Sequence, residues 1–254
     1  MPDVELLQHV VREAGAVALS FFGKPHKHWV KPDHSILTEA DLAVNEFLHK
    51  TLMGARPSYG WLSEESTDDL SRTTKQMCWV LDPIDGTRSF HLGRNEWCIA
   101  CALTKGETVE LSAIYQPTLD KFYFAERGKG ASCNGNTLVT SPSDTLQSAR
   151  LAANASAFKK LEASGVAKME MSFTPQILRL CMIAEGSADV LVAHGPKNDW
   201  DVAAGVLLAQ EAGANVTTEL GATMKFNQPH PRQPGMVAAH PQRHALMMKF
   251  MEQL

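Results

Sequence analysis

The central stretch of this sequence reads Cys78-Trp79-Val80-Leu81-Asp82-Pro83-Ile84-Asp85-Gly86-Thr87-Arg88-Ser89-Phe90. Its first part, residues 77–81, is too apolar for a surface strand and predicts a buried central one. Because proline has no N–H to give to a neighbouring strand, we expect the sheet to end at about Asp82. The sequence therefore predicts two carboxylates, Asp82 and Asp85, at the mouth of a buried strand.

Two acidic side chains in such a place repel each other and lose solvation. They persist only if they are protonated, solvated or bound to a cation. A third acidic residue, Glu64, precedes Asp82 by eighteen positions in Ser63-Glu64-Glu65-Ser66. We interpret the three as a metal site, and ligands that are all oxygen favour a hard ion, Mg²⁺ first.

The composition is that of an ordinary globular protein. The 254 residues are 44% hydrophobic and 20% charged, enough for one large domain or two tightly packed ones. A net charge of −4 argues against nucleic-acid binding through a broad basic surface. Since no run approaches the ~20 apolar residues of a membrane span, we expect no membrane partner.

The N-terminal residues and the cysteines suggest a cellular compartment. Asp3 and Glu5 are acidic and no basic region precedes them, so we expect no signal peptide. The five cysteines are odd in number, and Cys98 and Cys101 sit in a strand pattern, in which residues three apart face opposite ways. Buried free thiols in a reducing, cytoplasmic setting fit this pattern best.

The first part of the chain predicts helices followed by an antiparallel meander. Apolar residues at helical spacing predict an opening amphipathic helix. A second helix is predicted over 38–53, with Thr38 at its N-cap and Asp41 three residues later. Strands separated by turn residues are then predicted at 97–103, 109–115 and 121–125.

Beyond about residue 148 the predicted elements alternate between strand and helix, which favours α/β layering. They are strand 149–154, helix 175–185, strand 188–193, helix 201–213, strand 235–239 and a closing helix from Pro241. We place a boundary near Ser141-Pro142-Ser143, which gives an α+β part (1–145) carrying most of the predicted ligands. An α/β part (146–254) would then close the site across a cleft.

A fourth acidic residue completes a recognisable set of motifs. Asp201 stands at the predicted start of an apolar helix, where free amides favour a carboxylate. Together, Asp82–Thr87 and Trp200–Gly205 resemble the inositol monophosphatase superfamily. So do 128–135, 38–41 and 64–66, in the family's order and over roughly residues 30–213. The resemblance implies an α/β fold, a layered αβαβα sandwich, and a Mg²⁺-dependent, often lithium-sensitive phosphomonoesterase.

The resemblance also implies roles for individual residues. The metal ligands, for two or three Mg²⁺ ions, would be Glu64, Asp82, the main-chain carbonyl of Ile84, Asp85 and Asp201. The catalytic residues near the attacking water would be Glu64, Thr87 and Asp41. Phosphate and substrate contacts would come from Asp85, Gly86, Thr87, His194 and Asp201. Lys31 would balance charge beside the outer metal position.

The substrate stays open among small phosphate esters. His194 stands at about the place where many inositol monophosphatases carry a glutamate that binds inositol hydroxyls. Gly195-Pro196 before an acidic residue and Trp-Asp is similar to the bisphosphate nucleotidases, whereas Arg88 after the acidic motif resembles the histidinol phosphatases. Inositol 1-phosphate, 3′-phosphoadenosine 5′-phosphate and histidinol phosphate are therefore all candidates.

Two other classes of protein fit the sequence less well. Haloacid-dehalogenase-type phosphatases place their two aspartates two residues apart, not three with a proline between. A catalytically silent binding or regulatory paralogue should lose ligands first, and all four acidic positions are kept. Family members are often homodimers, and we expect the same here. His26 and His28 have no third ligand at local spacing, so we expect them to be surface residues.

Overall fold

The computed structural model describes residues 1–153, 155–169, 171 and 174–253. Within these residues the α-helices are α1 (Asp3–Phe21), α2 (Glu39–Ala55), α3 (Thr87–His91), α4 (Ala155–Leu161), α5 (Gln176–Glu185), α6 (Ala203–Glu211) and α7 (Pro241–Met251). Short 3₁₀ turns lie at Ser71–Thr74, Pro117–Leu119, Glu162–Ser164 and Asp199–Asp201.

The strands of the described residues fall into two groups along the chain. The first group is β1 (His28–Val30), β2 (Ile36–Thr38), β3 (Gly60–Ser63), β4 (Met77–Asp85), β5 (Cys98–Lys105), β6 (Thr108–Gln116), β7 (Lys121–Glu126), β8 (Gly130–Cys133) and β9 (Asn136–Thr137). The second is β10 (Arg150–Ala152), β11 (Ala167–Lys168), β12 (Val190–Ala193), β13 (Lys197–Asn198), β14 (Asn215–Thr218), β15 (Arg232–Gln233) and β16 (Met236–Ala239).

Two main sheets organise the chain. The larger has seven strands in the order β3-β4-β5-β6-β7-β8-β9, parallel only between β3 and β4, so the expected antiparallel meander is present. The smaller has five strands in the order β11-β10-β12-β16-β14 and mixes parallel and antiparallel pairs. Two-stranded ladders join β1 to β2 and β13 to β15.

The helices form layers around the two sheets. One apolar cluster joins α1 and α2 to one face of the seven-stranded sheet. A second lies between the sheets and contains α5 and α6, and a third joins α4 and α7 to the outer face of the five-stranded sheet. The expected αβαβα sandwich is therefore confirmed. The middle cluster draws residues from both sides of residue 145, and the division there stays a prediction.

The opening of α2 follows the sequence closely. The side chain of Thr38 accepts a hydrogen bond from the Asp41 N–H, and the Asp41 carboxylate accepts one from the Thr38 N–H, a reciprocal cap. Val44, Leu48 and Leu52 are fully buried against the sheet, as the periodicity predicts. The cap therefore gives α2 a fixed beginning and holds Asp41 beside the end of β4.

The predicted end of the central strand at Asp82 is wrong. β4 pairs regularly with β5 as far as Asp82 opposite Ala100, then resumes with Asp85 opposite Cys98. Three steps along β4 thus oppose two along β5, which is a β-bulge, and Pro83 sits inside it. Pro83 has no N–H to donate to β5, but a residue inside the bulge makes no regular pair with β5. The strand can therefore continue past the proline to Asp85.

The alternating C-terminal elements are present with shifted ends. β10 falls in the strand predicted over 149–154, of which Asn154 lies outside the described residues. The helix predicted from 201 begins at Ala203, and Asp201 ends the 3₁₀ turn before it. No helix in the described part of the chain is long and apolar enough to cross a membrane.

Candidate active site

The bulge in β4 turns two carboxylates toward the same side of the sheet. In a regular strand, residues three apart face opposite sides. Here the extra residue restores the alternation, so Asp82 and Asp85 share a face with their partners Ala100 and Cys98, while Ile84 packs on the opposite face. Asp82 is 3% exposed and Asp85 8% exposed. The two carboxylates are thus nearly buried and point toward the layer between the sheets.

Two further carboxylates reach this point from other elements. Glu64 directly follows β3, which runs parallel to β4 and ends with Ser63 opposite Leu81. Asp201 is held at the end of its 3₁₀ turn by the Asn198 N–H, 2.9 Å from its Oδ2. Carboxylate oxygens of Glu64, Asp82 and Asp201 lie within 4.8 Å of one another, a grouping that could hold a metal ion.

Asp85 lies beside this trio and is fixed from another element. Its Oδ2 accepts a hydrogen bond from the Ile177 N–H at 3.1 Å, near the N-terminus of α5. Ile84 joins β4 to the same site, because its N–H donates to Asp82 Oδ1 at 3.0 Å. We call Glu64, Asp82, Asp85 and Asp201 the acidic cluster.

Electrostatics indicate that the acidic cluster lacks a matching positive charge from the protein. Burial raises the pKa of Asp82 well above its ordinary value, and the charges of Glu64, Asp85 and Asp201 raise it further. Burial and Asp201 act in the same direction on the pKa of Asp85, although the Ile177 hydrogen bond opposes them. Burial first, and Glu64 among its neighbours, raise the pKa of Asp201 to about 6. The oxygens of Glu64, Asp82 and Asp201 lie within 4.8 Å of one another. At that separation and an effective dielectric constant of 20, two like charges repel by roughly 3–4 kcal/mol.

Lys31 is the cation beside the cluster. Its Nζ lies 2.8 Å from Glu64 Oε1 and 2.7 Å from Glu65 Oε1. Burial lowers the pKa of Lys31, but the hydrogen bonds to the two glutamates outweigh this and raise it above its ordinary value. Lys31 therefore compensates the outer edge of the cluster, and the charge of Arg179 opposes the rise in the pKa of Asp85 only in part.

Thr87 connects the strand end to the buried Asp41. Its Oγ1 lies 3.0 Å from Asp41 Oδ1 and 3.0 Å from the Ile84 carbonyl oxygen. Asp41 is 1% exposed; burial raises its pKa, and the hydrogen bonds from Thr38 and Thr87 work against that rise. Because both neighbours of the Thr87 hydroxyl are acceptors, its proton points to one of them and a lone pair is left for another donor.

Gly86 is required by the turn between β4 and α3. Its φ is +97°, and a Cβ there would lie 2.6 Å from the carbonyl oxygen of Glu96. Any other residue would therefore be strained and would clash with backbone. The turn places Gly86 and Thr87 at the N-terminus of α3 and in the wall of a cavity.

That cavity has a volume of about 830 Å³ and contains the whole acidic cluster. Its floor is formed by the acidic cluster with Ile84, Gly86 and Thr87. Its rim comes from the β1–β2 hairpin, from α3 and from the residues before α5: Val30, Asp33, His34, Ser35, Ile36, Arg88, Ser89, Thr174 and Pro175. The volume suits a small-molecule ligand.

His194 lies apart from the lining of this cavity among the described residues. It follows β12, and its Nδ1 is 2.9 Å from Glu219 Oε2, beyond the end of β14. The contact expected between His194 and substrate stays a prediction. Conversely, Asp33 and His34 line the cavity but carried no signal in the sequence, because the strands of their hairpin are only three residues long.

Comparisons with known proteins agree with this geometry. The sequence model of the inositol monophosphatase family matches residues 3–253. The chain belongs to the inositol monophosphatase family. Members of this family are metal-dependent phosphatases, so the protein is a phosphoric ester hydrolase whose acidic cluster could bind metal.

Individual relatives carry different names within the family. The inositol monophosphatase of Dictyostelium discoideum is 29% identical over 84% of this chain and 83% of its own length. The histidinol-phosphatase of Mycobacterium tuberculosis is 31% identical over 74% of this chain and 76% of its own length. The Thermotoga maritima IMPase superimposes with a TM-score of 0.86 over 100% of this chain and 98% of that one, at 21% identity, which shows a shared fold.

Proposed function

We propose that the protein is a Mg²⁺-dependent phosphomonoesterase that hydrolyses a small phosphorylated polyol, as an inositol-1-monophosphatase does. The observation that carries this proposal is the acidic cluster, four carboxylates that line one cavity, with Lys31 paired to Glu64 at its edge. Oxygen ligands of this kind suit Mg²⁺, and their excess negative charge would repel a phosphate unless cations were bound.

Glu64, Asp82, Asp85, Asp201 and the Ile84 carbonyl would hold the ions, two or three in number. When bound, the ions supply the charge that attracts the phosphate, acidify a water molecule and stabilise the leaving oxygen. The remaining work is positioning, because the phosphoryl group needs little covalent help from the protein.

The residues of the β4–α3 turn would do that positioning. The amides of Gly86 and Thr87 would contact the phosphate, since no Cβ at Gly86 obstructs its approach. The Thr87 hydroxyl donates to Asp41 or to the Ile84 carbonyl, so its lone pair can accept a hydrogen bond from the attacking water, and its own proton can pass to Asp41 as the water gives one up. Glu64 would take part in that deprotonation.

Phosphate release should be measured from inositol 1-phosphate, 3′-phosphoadenosine 5′-phosphate and histidinol phosphate, with Mg²⁺ and with chelator. We expect turnover of at least one ester that stops on chelation. Turnover that survives chelation, or none across the panel in folded protein, would contradict the proposal; the latter outcome would support a silent binding paralogue. Lithium sensitivity, a homodimer and a cytoplasmic location stay predictions.

Histidinol phosphate is the second candidate because of the cavity rim. Asp33 lines the cavity, and its carboxylate is held in place by the Ser35 N–H at 3.0 Å and the Ser35 hydroxyl at 2.8 Å. An alcohol carrying an ammonium group would complement this charge, whereas inositol would not. Asp33→Asn should then lower kcat/KM for histidinol phosphate and leave that for inositol 1-phosphate unchanged. Equal effects on both esters would remove this candidate.

A further inference from the structure

Three histidines from two distant segments meet beside α3. His26 Nε2 lies 3.2 Å from His91 Nδ1, although the residues are 65 positions apart. The ring centroids of His28 and His91 are 4.4 Å apart, and those of His26 and His91 are 5.3 Å apart. His28 is exposed and His26 half-buried, in line with their expected place at the surface, but the fold adds His91, a partner that no local spacing could show.

The protonation state of His26 is set by its backbone neighbour. Its Nδ1 lies 2.8 Å from the carbonyl oxygen of Lys24, which can only accept, so Nδ1 carries the proton. Neutral His26 therefore presents a lone pair on Nε2 toward His91. A backbone carbonyl that fixes the far nitrogen is the usual support of a histidine that binds metal.

The spacing of the two nitrogens fits a shared ion. Two imidazole nitrogens bound at 2.0–2.1 Å to one tetrahedral zinc ion lie about 3.3 Å apart. The 3.2 Å between His26 Nε2 and His91 Nδ1 is close to that value. Because His26 Nε2 is an acceptor, His91 Nδ1–H donates to it, and an ion bound between the two rings would take the place of that proton, which moves to His91 Nε2 or to solvent.

The backbone between His26 and His28 is held in place by two hydrogen bonds with Glu39. Lys27, between them, donates its N–H to Glu39 Oε1 and accepts the Glu39 N–H at its carbonyl, both at 3.0 Å. The ring of His26 also packs against Phe90, in the same helix as His91, with the ring centroids 5.6 Å apart and the rings tilted by 55°. His28 is exposed at the start of β1, so its ring can turn toward the other two without disturbing the core.

We propose that His26, His28 and His91 form a binding site for a divalent transition metal ion that prefers nitrogen ligands, Zn²⁺ in the first place. An all-imidazole site selects such an ion over Mg²⁺, which prefers oxygen. It therefore differs in chemistry from the acidic cluster and can be filled while Mg²⁺ is present.

Calorimetric titration of Zn²⁺ into the full chain with excess Mg²⁺ tests the proposal. We expect one Zn²⁺ per chain, retained in Asp85→Asn, where the acidic cluster is impaired. In His91→Gln and in His28→Gln the affinity should fall at least about tenfold, since a ligand is lost. His9→Gln removes an exposed histidine of α1 and should change nothing.

Co²⁺ provides an independent readout through its visible absorption, which reports the ligand geometry. The wild type should show a spectrum that His28→Gln loses, and circular dichroism confirms that each variant is folded. No Zn²⁺ binding by the wild type, or binding by both histidine variants as tight as that of the wild type, would overturn the proposal. Because neither readout needs turnover, this result is separate from the success or failure of the phosphatase assay.

Discussion

Two of the places where the molecule buries aspartates treat them in opposite ways. In the acidic cluster, Asp82 and Asp85 face other carboxylates, and burial together with like charge raises their pKa. Asp189, at the start of β12, is 5% exposed and accepts hydrogen bonds from Arg150 Nε at 2.8 Å and Arg243 Nη1 at 2.9 Å. Burial alone would raise its pKa, but these arginines lower it to about 2.

The difference separates a structural charge from a functional one. Asp189 is neutralised within the protein and ties β10 and α7 to β12, so its charge stabilises the fold. The carboxylates of the cluster are neutralised only in part, by Lys31 at Glu64, and the raised pKa of its aspartates shows that their charges cost stability unless something outside the chain compensates them. An uncompensated buried charge is therefore the better indicator of a site than burial or residue type alone.

The largest effect should come from exchanging one carboxylate of the cluster. Asp85→Asn removes a charge that we propose to hold metal, which would be worth several kcal/mol, so Mg²⁺-stimulated turnover should fall on the order of 10³-fold. In chelator the variant should be no less stable than the wild type, because one repulsion is gone. Steady-state phosphate release measures the turnover, and thermal unfolding in chelator measures the stability. A folded Asp85→Asn protein with wild-type turnover would falsify the role of the cluster.

The same exchange at Asp189 should give the reverse result. Asp189→Asn leaves Arg243 nearly buried without its carboxylate, and we expect a loss of about 3 kcal/mol in the free energy of unfolding. Turnover per folded molecule should stay at the wild-type level. Urea unfolding checks the stability, with Asp144→Asn, at an exposed aspartate, as the matched control. An Asp189→Asn protein that is as stable as the wild type but inactive would contradict the distinction between the two regions.

The sequence predicted the layers better than the details of the site. Helix and strand periodicities, the Thr38 cap and the alternating C-terminal elements follow from local patterns and are present. The bulge at Pro83 could not be foreseen, because it depends on how β4 registers against β5. The nearness of His26 to His91 likewise depends on where the fold brings α3, and no spacing in the chain reports that.

The pH dependence of stability should also differ in sign between the two regions. Because the pKa of Asp189 is lower in the folded protein than the ordinary 3.8, its stabilisation is present above about pH 4 and is lost as the pH falls through about 2. The pKa of Asp201 is raised to about 6, so in chelator its carboxyl costs stability as the pH rises toward and through that value. Unfolding free energies from pH 2 to 8 check this. If the wild type and Asp189→Asn lost the same unfolding free energy as the pH falls from 4 to 2, the expectation for Asp189 would be contradicted.

The smallest effect concerns Lys31, the one place where the acidic cluster resembles Asp189. Its ammonium group compensates Glu64 and would compete with a metal ion for that carboxylate under the proposed function. The side chain is 21% exposed, so the pair is worth no more than about 1 kcal/mol, and Lys31→Met should tighten Mg²⁺ binding by about threefold. Calorimetry measures the change, with Lys27→Met as the control at an exposed lysine of the same segment. Weaker Mg²⁺ binding in Lys31→Met would contradict this competition. It would show instead that the Lys31–Glu64 ion pair holds Glu64 in the position in which it binds the ion.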